Sequence, residues 1–314
     1  MKQILTQLFQ IIIFPGFLFL SVAGLFAEYA DRKLYARLQN RQGPPWFQPA
    51  ADFIKLIGKE DIVPQAADKG MFKFMPVLAL TATITAFLYI PMWNTTSLYS
   101  FYGDVIVVLY LLTIPTLTFF LAGWYSNSLY SLVGAIRSLT QLFAYEVPLF
   151  LAVLSSALLA DSWSFGGIAV FYNKHPLLVF VNVIGFFVAL IALLGKLEKV
   201  PFDIPEAETE IVAGSFTEYT GRFLAFFRMA LDIETVVVAS LMAAVFLPFG
   251  LGTYWAIGFA LYIIKIFFII ALLALLRTVF ARLRIDQMVD FCWRWLAPLA
   301  FLQLIISLIV KSII

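Results

Sequence analysis

The sequence predicts an all-α, polytopic membrane protein of about eight transmembrane helices with one interfacial amphipathic helix, in a single integral domain over residues 1–314. Three observations predict it. The chain is 62% hydrophobic and only 13% charged, with a mean hydropathy of +0.95, which is more apolar surface than one water-soluble core can hide. Apolar runs of about 20 residues recur along its whole length, enough for a helix to cross the hydrocarbon and about twice what a membrane strand needs. No Gly/Ser-rich or Pro-rich linker and no internal repeat divides it.

The predicted spans are residues 8–27, 72–92, 104–123, 141–160, 176–195, 224–248, 254–278 and 295–313. Only Lys2 precedes the first, and no small-residue cleavage site stands at the right place, so it reads as a span and not as a leader. An even number of spans puts both termini on one side, and the basic residues decide which. The odd-numbered loops hold Arg32, Lys33, Arg37, Arg41, Lys55, Lys59 and Lys69, then Arg137, then Lys196, Lys199 and Arg222, then Arg277, Arg282, Arg284 and Arg294. The other side holds Lys2, Lys174 and Lys311. The odd loops are therefore expected to be cytoplasmic, with both termini outside the cell membrane. The single cysteine, Cys292, and the single histidine, His175, exclude an internal disulfide and leave no ligand set for zinc, haem or an iron–sulfur cluster. Cys292 reads as an apolar filler and His175 as a loop residue before Pro176.

The first loop, from Glu28 to Gln65, is long enough to carry ordered elements of its own. AEYADRKLYARLQNR continues the first span out of the membrane, and Gly43, Pro44 and Pro45 are expected to stop it. Phe53, Ile54, Leu56 and Ile57, with Asp52, Lys55 and Lys59 between them, predict a short interfacial helix from Pro49 to Lys59.

The third loop offers Arg137, Gln141 and Tyr145 on one helical face, followed by Glu146 and Pro148. A carboxylate inside an apolar span costs about 2.5–3.5 kcal/mol on translocon scales, so Glu146 must face protein or water. A proton-handling group and a helix-end partner of Arg137 are its two readings.

Loop five, GKLEKVPFDIPEAETEIVAGSFTEYTGR, is the strongest signal. Asp203 before Pro205 suits a helix N-cap, and Glu206 and Glu208 then complement the positive end of that helix. Glu198, Glu210 and Glu218 lack that explanation. Clustered carboxylates repel and share protons, so the loop is a candidate ion-handling site. Gly214 and Gly221 are expected to let the backbone bend or a neighbour pack closely. Further on, Arg228 and Asp232 are spaced for an i,i+4 pair, which leaves Glu234 and Lys265 to find partners across helices. A polar file from Glu218 through Asp232 or Glu234 towards Lys265 is the expected inner route.

RKLYARLQNRQGPPWFQPAADFIKLIGKE, IRSLTQLFAYEVPLFLA, KVPFDIPEAETEIVAGSFTEYTGRFLAFF and RLRIDQMVDFCWRWLAPLA, in that order over about residues 27–299, resemble the H-type membrane subunit shared by respiratory complex I and the group 4 membrane-bound [NiFe]-hydrogenases. The resemblance implies eight spans, cytoplasmic loops that seat a peripheral redox arm, and an acidic funnel made of Glu146, Asp203, Glu206, Glu208, Glu210 and Glu218. The acid that follows the FF pair in the family is matched by Asp232 or Glu234. Arg32, Arg37, Arg41, Arg137, Arg282 and Arg284 are the candidate docking residues. The implied partners are a [NiFe]-hydrogenase-like large subunit and an iron–sulfur small subunit, which carry the [NiFe] centre and [4Fe–4S] clusters, together with antiporter-like membrane subunits. GPPWFQP is short, as in the hydrogenase relatives, which favours a hydrogenase-type or sulfur-reducing complex over a quinone-reducing one. A secondary transporter would need internal repeats and broken helices at the midplane, and neither is found. A purely structural anchor is the remaining alternative.

Overall fold

The computed structural model describes residues 2–252 and 254–313, without the side chains of Lys2, Gln3, Glu208 and Thr209. Every regular element among the described residues is helical. Eight helical stretches are long and apolar enough to cross a membrane: Ile4–Leu38, Lys69–Leu88, Asp104–Tyr125, Leu129–Leu159, Pro176–Lys196, Gly221–Phe246, Trp255–Val279 and Ile285–Ile313. The fold class is the one the sequence predicts. The helices fall into two compact units, the first made of the chain as far as Leu88 with Leu111–Ser138 and Pro205–Val237, the second of the remaining segments.

In the first unit, α1 (Lys2–Ile12) and α2 (Phe17–Leu38) make up the first span. The helix does not run to Gly43 as the sequence suggests. Asn40 adopts a left-handed φ of 59°, Asn40 N–H donates to Arg37 O at 3.0 Å and Arg41 N–H to Ala36 O at 2.8 Å. That pattern closes the last turn with asparagine where glycine more often stands. α3 (Gln48–Ile57), with Pro49 in its first turn, is the predicted interfacial helix and packs on α2.

α4 (Lys69–Leu88) and most of α5 (Asp104–Tyr125) follow. Only residues 126–128 then separate α5 from α6 (Leu129–Leu159), so the predicted third loop is mostly helix. Its residues 129–140 carry the charged Arg137 but contain no proline, and the helix continues through them. An aromatic core holds the unit together: Phe72 stacks on Tyr219 with centroids 3.9 Å apart, and Phe119 meets Phe216 and Phe227 edge-on at 5.2 and 5.6 Å.

In the second unit, α7 (Phe165–Lys174) is a helix not foreseen from sequence, because its Gly166–Gly167 pair argues against one. The Ser164 hydroxyl caps it by accepting from Gly167 N–H at 3.1 Å. A 3₁₀ segment, Pro176–Asn182, then leads into α8 (Val183–Lys196), which packs on α11 (Trp255–Val279) and α13 (Ala297–Ile313). The change of pitch at this join is served from α13. Gln303 Nε2 donates to Val181 O at 3.0 Å and its Oε1 accepts from Gly185 N–H at 3.3 Å, the two groups that an α-helix would join to each other. Gln303 Nε2 also reaches Asn182 Oδ1 at 3.1 Å and Ser307 Oγ at 3.1 Å, and Ser156 lies 3.0 Å from the Tyr172 hydroxyl, all buried. Burial pushes the Tyr172 phenol above its ordinary range, so it stays protonated and able to donate.

The remaining elements are α9 (Glu208–Ile211), a 3₁₀ turn (Gly214–Phe216), α10 (Gly221–Phe246) and α12 (Ile285–Phe291), the last joined to α13 by a π-helical turn, Cys292–Leu296. Cys292 is buried at the start of that turn. α10 is the most enclosed span, with 89% of its apolar window buried.

Gln303→Leu strands Val181 O and Gly185 N–H in an apolar setting. The expected loss is about 1–3 kcal/mol, read as a lower thermal midpoint of the detergent-solubilised protein. An unchanged midpoint would show that the join does not need the amide.

Candidate functional site: the acidic loop and its arginines

In the first unit, the acidic loop is irregular backbone held between α6 and α10 by charge pairing and by close backbone approach. Glu206 pairs with Arg228 of α10 at 2.9 Å, and Glu210 accepts from Arg137 of α6 at 2.7 Å. Arg228 therefore reaches out of its own helix, beyond the i,i+4 spacing to Asp232 that the sequence suggests. Glu208 lies in α9, and its side chain falls outside the described residues. Gly214 takes a φ of +52°, and a Cβ there would collide with Pro205 O; a Cβ on Gly134 of α6 would collide with the backbone of Gly214 and Ser215. Glycine at both positions is what lets the loop lie against the helix.

The end of the loop is fixed twice more. Tyr219 stacks on Phe72 and donates to Phe72 O at 3.2 Å, and burial raises its phenol pKa well above the ordinary range. Glu218, its neighbour, is half-buried. Asp61 of the first loop then accepts from Arg222 N–H at 2.8 Å and from Arg222 Nε at 2.6 Å. Thr220 Oγ1 accepts from Ile62 N–H at 3.2 Å and donates to Glu60 O at 3.3 Å. Gly221, at φ +60°, stands where any Cβ would strike Asp61 and Glu60. Gly214 and Gly221 thus both serve close packing, as expected from sequence.

Arg32 of α2 donates to Glu28 at 2.6 Å and to Asp52 of α3 at 3.1 Å, and lies within the field of Asp232. α2 and α10 cross where a Cβ on Gly24 would sit 3.0 Å from Asp232 C. Arg32 and Arg137, both candidate docking arginines, thus make ion pairs within the chain. Arg37, Arg41, Arg282 and Arg284 are exposed. Glu234 is fully buried in α10 and Asp232 half-buried.

In the second unit, Asp203 lies five residues before the start of α9, whose N-cap is Ala207 without a side-chain bond, so Asp203 does not cap that helix. The stretch around it contains two prolines and the turn after Val200–Pro201, which keep the backbone out of helical geometry. Leu283 N–H donates to Pro201 O at 3.0 Å, tying loop seven to the start of loop five. Glu146 is half-buried on α6, one residue after the buried Tyr145. Lys265 sends its amine back to Phe249 O, with the Phe249 ring 5.4 Å away, in the turn before its own helix. The amine is thus held at the turn between the sixth and seventh spans, as a snorkelling lysine would be.

Three ionisable residues at these sites were not singled out from sequence. Asp31 is 1% exposed, and it continues the buried stripe Leu20, Gly24, Ala27 and Ala30 of α2, so its helical spacing could have revealed it. Asp61 and Lys196 gave no such signal, since their placement depends on contacts distant in sequence.

These features define a multi-pass helical membrane subunit whose ionisable groups gather where irregular loops meet helix ends. The family model described as NADH dehydrogenase matches residues 9–308, and the chain belongs to that family. It is 34% identical over 305 residues to the H subunit of the NADH-quinone oxidoreductase of Carboxydothermus hydrogenoformans, covering 93% of this chain and 85% of that one. It is also 34% identical over 308 residues to the corresponding protein of Dehalococcoides mccartyi, covering 95% and 84%. A chain in the structure of the membrane-bound sulfane sulfur reductase, an archaeal respiratory membrane complex, superposes with a TM-score of 0.84 at 27% identity, covering 98% of this chain and 100% of that one. The chain is thus an H-type subunit of a complex I-like oxidoreductase, as the sequence motifs implied.

Arg222 holds the Asp61 carboxyl below the usual carboxylate range, chiefly by side-chain and backbone hydrogen bonds. A group whose folded pKa is depressed stabilises the fold above its unfolded pKa, and that contribution fades as pH falls through the folded value. Protection of the amides of residues 59–63 from exchange, relative to an unstructured chain at the same pH, is therefore expected to be high at neutral pH and to fall in acid. Arg222→Gln should lower that protection at neutral pH, and equal protection in the variant would refute the clasp.

Proposed function

We propose that this subunit anchors a peripheral redox module on its charged loops and couples electron transfer to movement of protons or sodium ions. The observation that carries the reading is the pairing of Glu206 and Glu210 with arginines from two different helices. A charge change on a docked partner alters the balance of such pairs, and a carboxylate released from its arginine takes up a proton more readily. Glu218, Asp203 and Glu146 are the further acids of the proposed path, followed by Asp232 and Glu234. Exposed Arg37, Arg41, Arg282 and Arg284 are the docking residues. With both termini outside the plasma membrane, they face the cytoplasm.

Within the family, we assign the chain to the hydrogenase-type or sulfur-reducing branch. The full-length match to the sulfane sulfur reductase chain supports this, as does the short GPPWFQP segment. The partners are then a [NiFe]-hydrogenase-like large subunit, an iron–sulfur subunit with [4Fe–4S] clusters, and antiporter-like membrane subunits. Those partners carry the redox centres, while the residues of this chain seat them and move ions. The quinone-reducing reading draws on the names of the curated relatives.

The chains that copurify decide between the branches: a partner with two CxxC pairs supports the hydrogenase type, and bound quinone supports the other. Glu210→Gln and Glu218→Gln should each lower ion pumping in vesicles about tenfold or more, with hydrogen evolution measured alongside. Unchanged pumping and hydrogen evolution for every acid of the loop would end the funnel reading.

A further inference from the structure

Lys196 ends α8 with only 2% of its surface exposed. Its place in the sequence puts it among the bases of a cytoplasmic loop, but its ammonium has no route to bulk water through its own side chain. An enclosed ammonium is costly unless a negative charge stands near it. α8 meets α6 at the residue before it. Gln141 Nε2 donates to Gly195 O at 2.6 Å, and a Cβ on Gly195 would sit 3.2 Å from Tyr145 Cδ1, so the two helices approach closely at this glycine. Tyr145 and Gly195 are each followed by an ionisable residue, Glu146 and Lys196. Lys196 is the charged group whose field reaches the Glu146 carboxyl. Glu198, 8% exposed, is the other enclosed acid of this turn.

We propose that Lys196 is the fixed counter-charge of Glu146 and a positioning residue of the ion path. The inference rests on the reading of Glu146 as a proton-handling acid. Lys196 keeps the half-buried carboxylate in place within the span, while Gln141 holds the end of α8 against α6. A lysine that only fills space with its methylene stem would be replaced by methionine without loss.

The test uses the whole complex, purified through a tag on this chain, first in detergent and then in proteoliposomes energised with dithionite-reduced methyl viologen. Lys196→Met and Glu146→Gln should each lower the thermal midpoint, the double variant should recover most of the loss, and Lys196→Arg should match the unaltered protein. Losses that simply add in the double variant would overturn the pairing. In vesicles, Lys196→Met should cut ion uptake by roughly tenfold or more while viologen oxidation continues, with Lys196→Arg restoring uptake. Full uptake by Lys196→Met overturns the positioning role. Coupled midpoints together with full uptake by Glu146→Gln would leave the counter-charge standing and remove the acid path itself.

Discussion

Keeping irregular, acid-rich backbone at the edge of the hydrocarbon is the constraint on which the rest of this structure depends. Such a segment exposes peptide groups and carboxylates that lipid cannot solvate. Here the arginines of α6 and α10 neutralise Glu210 and Glu206, and Asp61 fastens the segment's far end through Arg222. None of these pairs joins residues close in sequence. The loop is therefore shaped by the helices around it and not by its own propensities, and its charge state and its conformation are one variable.

Two packing devices let the charges meet. The first is the absence of side chains at Gly134 and Gly221, where backbone lies on backbone. The second is the aromatic core of Phe72, Phe119, Phe216, Tyr219 and Phe227, which fixes the residue after Glu218 rigidly. A half-buried carboxylate beside a rigid ring has few rotamers, so its partners are selected by geometry as well as by charge. In the second unit, the join before α8 is served by neutral groups, through Gln303, Asn182, Tyr172 and Ser156.

The spans were legible because bilayer thickness dictates their length, whatever they pack against. The amphipathic α3 was legible for the same reason, since its periodicity reflects an interface. What escaped were features set by tertiary contact. Residues 129–140 looked like a loop because hydropathy drops, yet a helix does not end where the membrane does. Asp203 looked like a cap because its local spelling is right, but the helix that follows starts only at Glu208, with Ala207 as its N-cap. The acids of loop five were visible as a cluster, while their pairing with Arg137 and Arg228 was not, because the partners lie in other spans. The bond of Arg32 to Asp52 of α3 was likewise hidden, because the two lie on different helices.

The Gln303 amide has a bearing on how the chain is made. The residues it serves at the start of the fifth span are translated early, and Gln303 emerges 121 residues after Asn182. Until the last helix enters the bilayer, the fifth has a polar break in hydrocarbon without its partner. Membrane insertion of this polypeptide is therefore not a simple succession of finished helices: the fifth becomes complete only with the eighth, and a ribosome product that stops short of residue 303 carries an open seam for quality control to recognise.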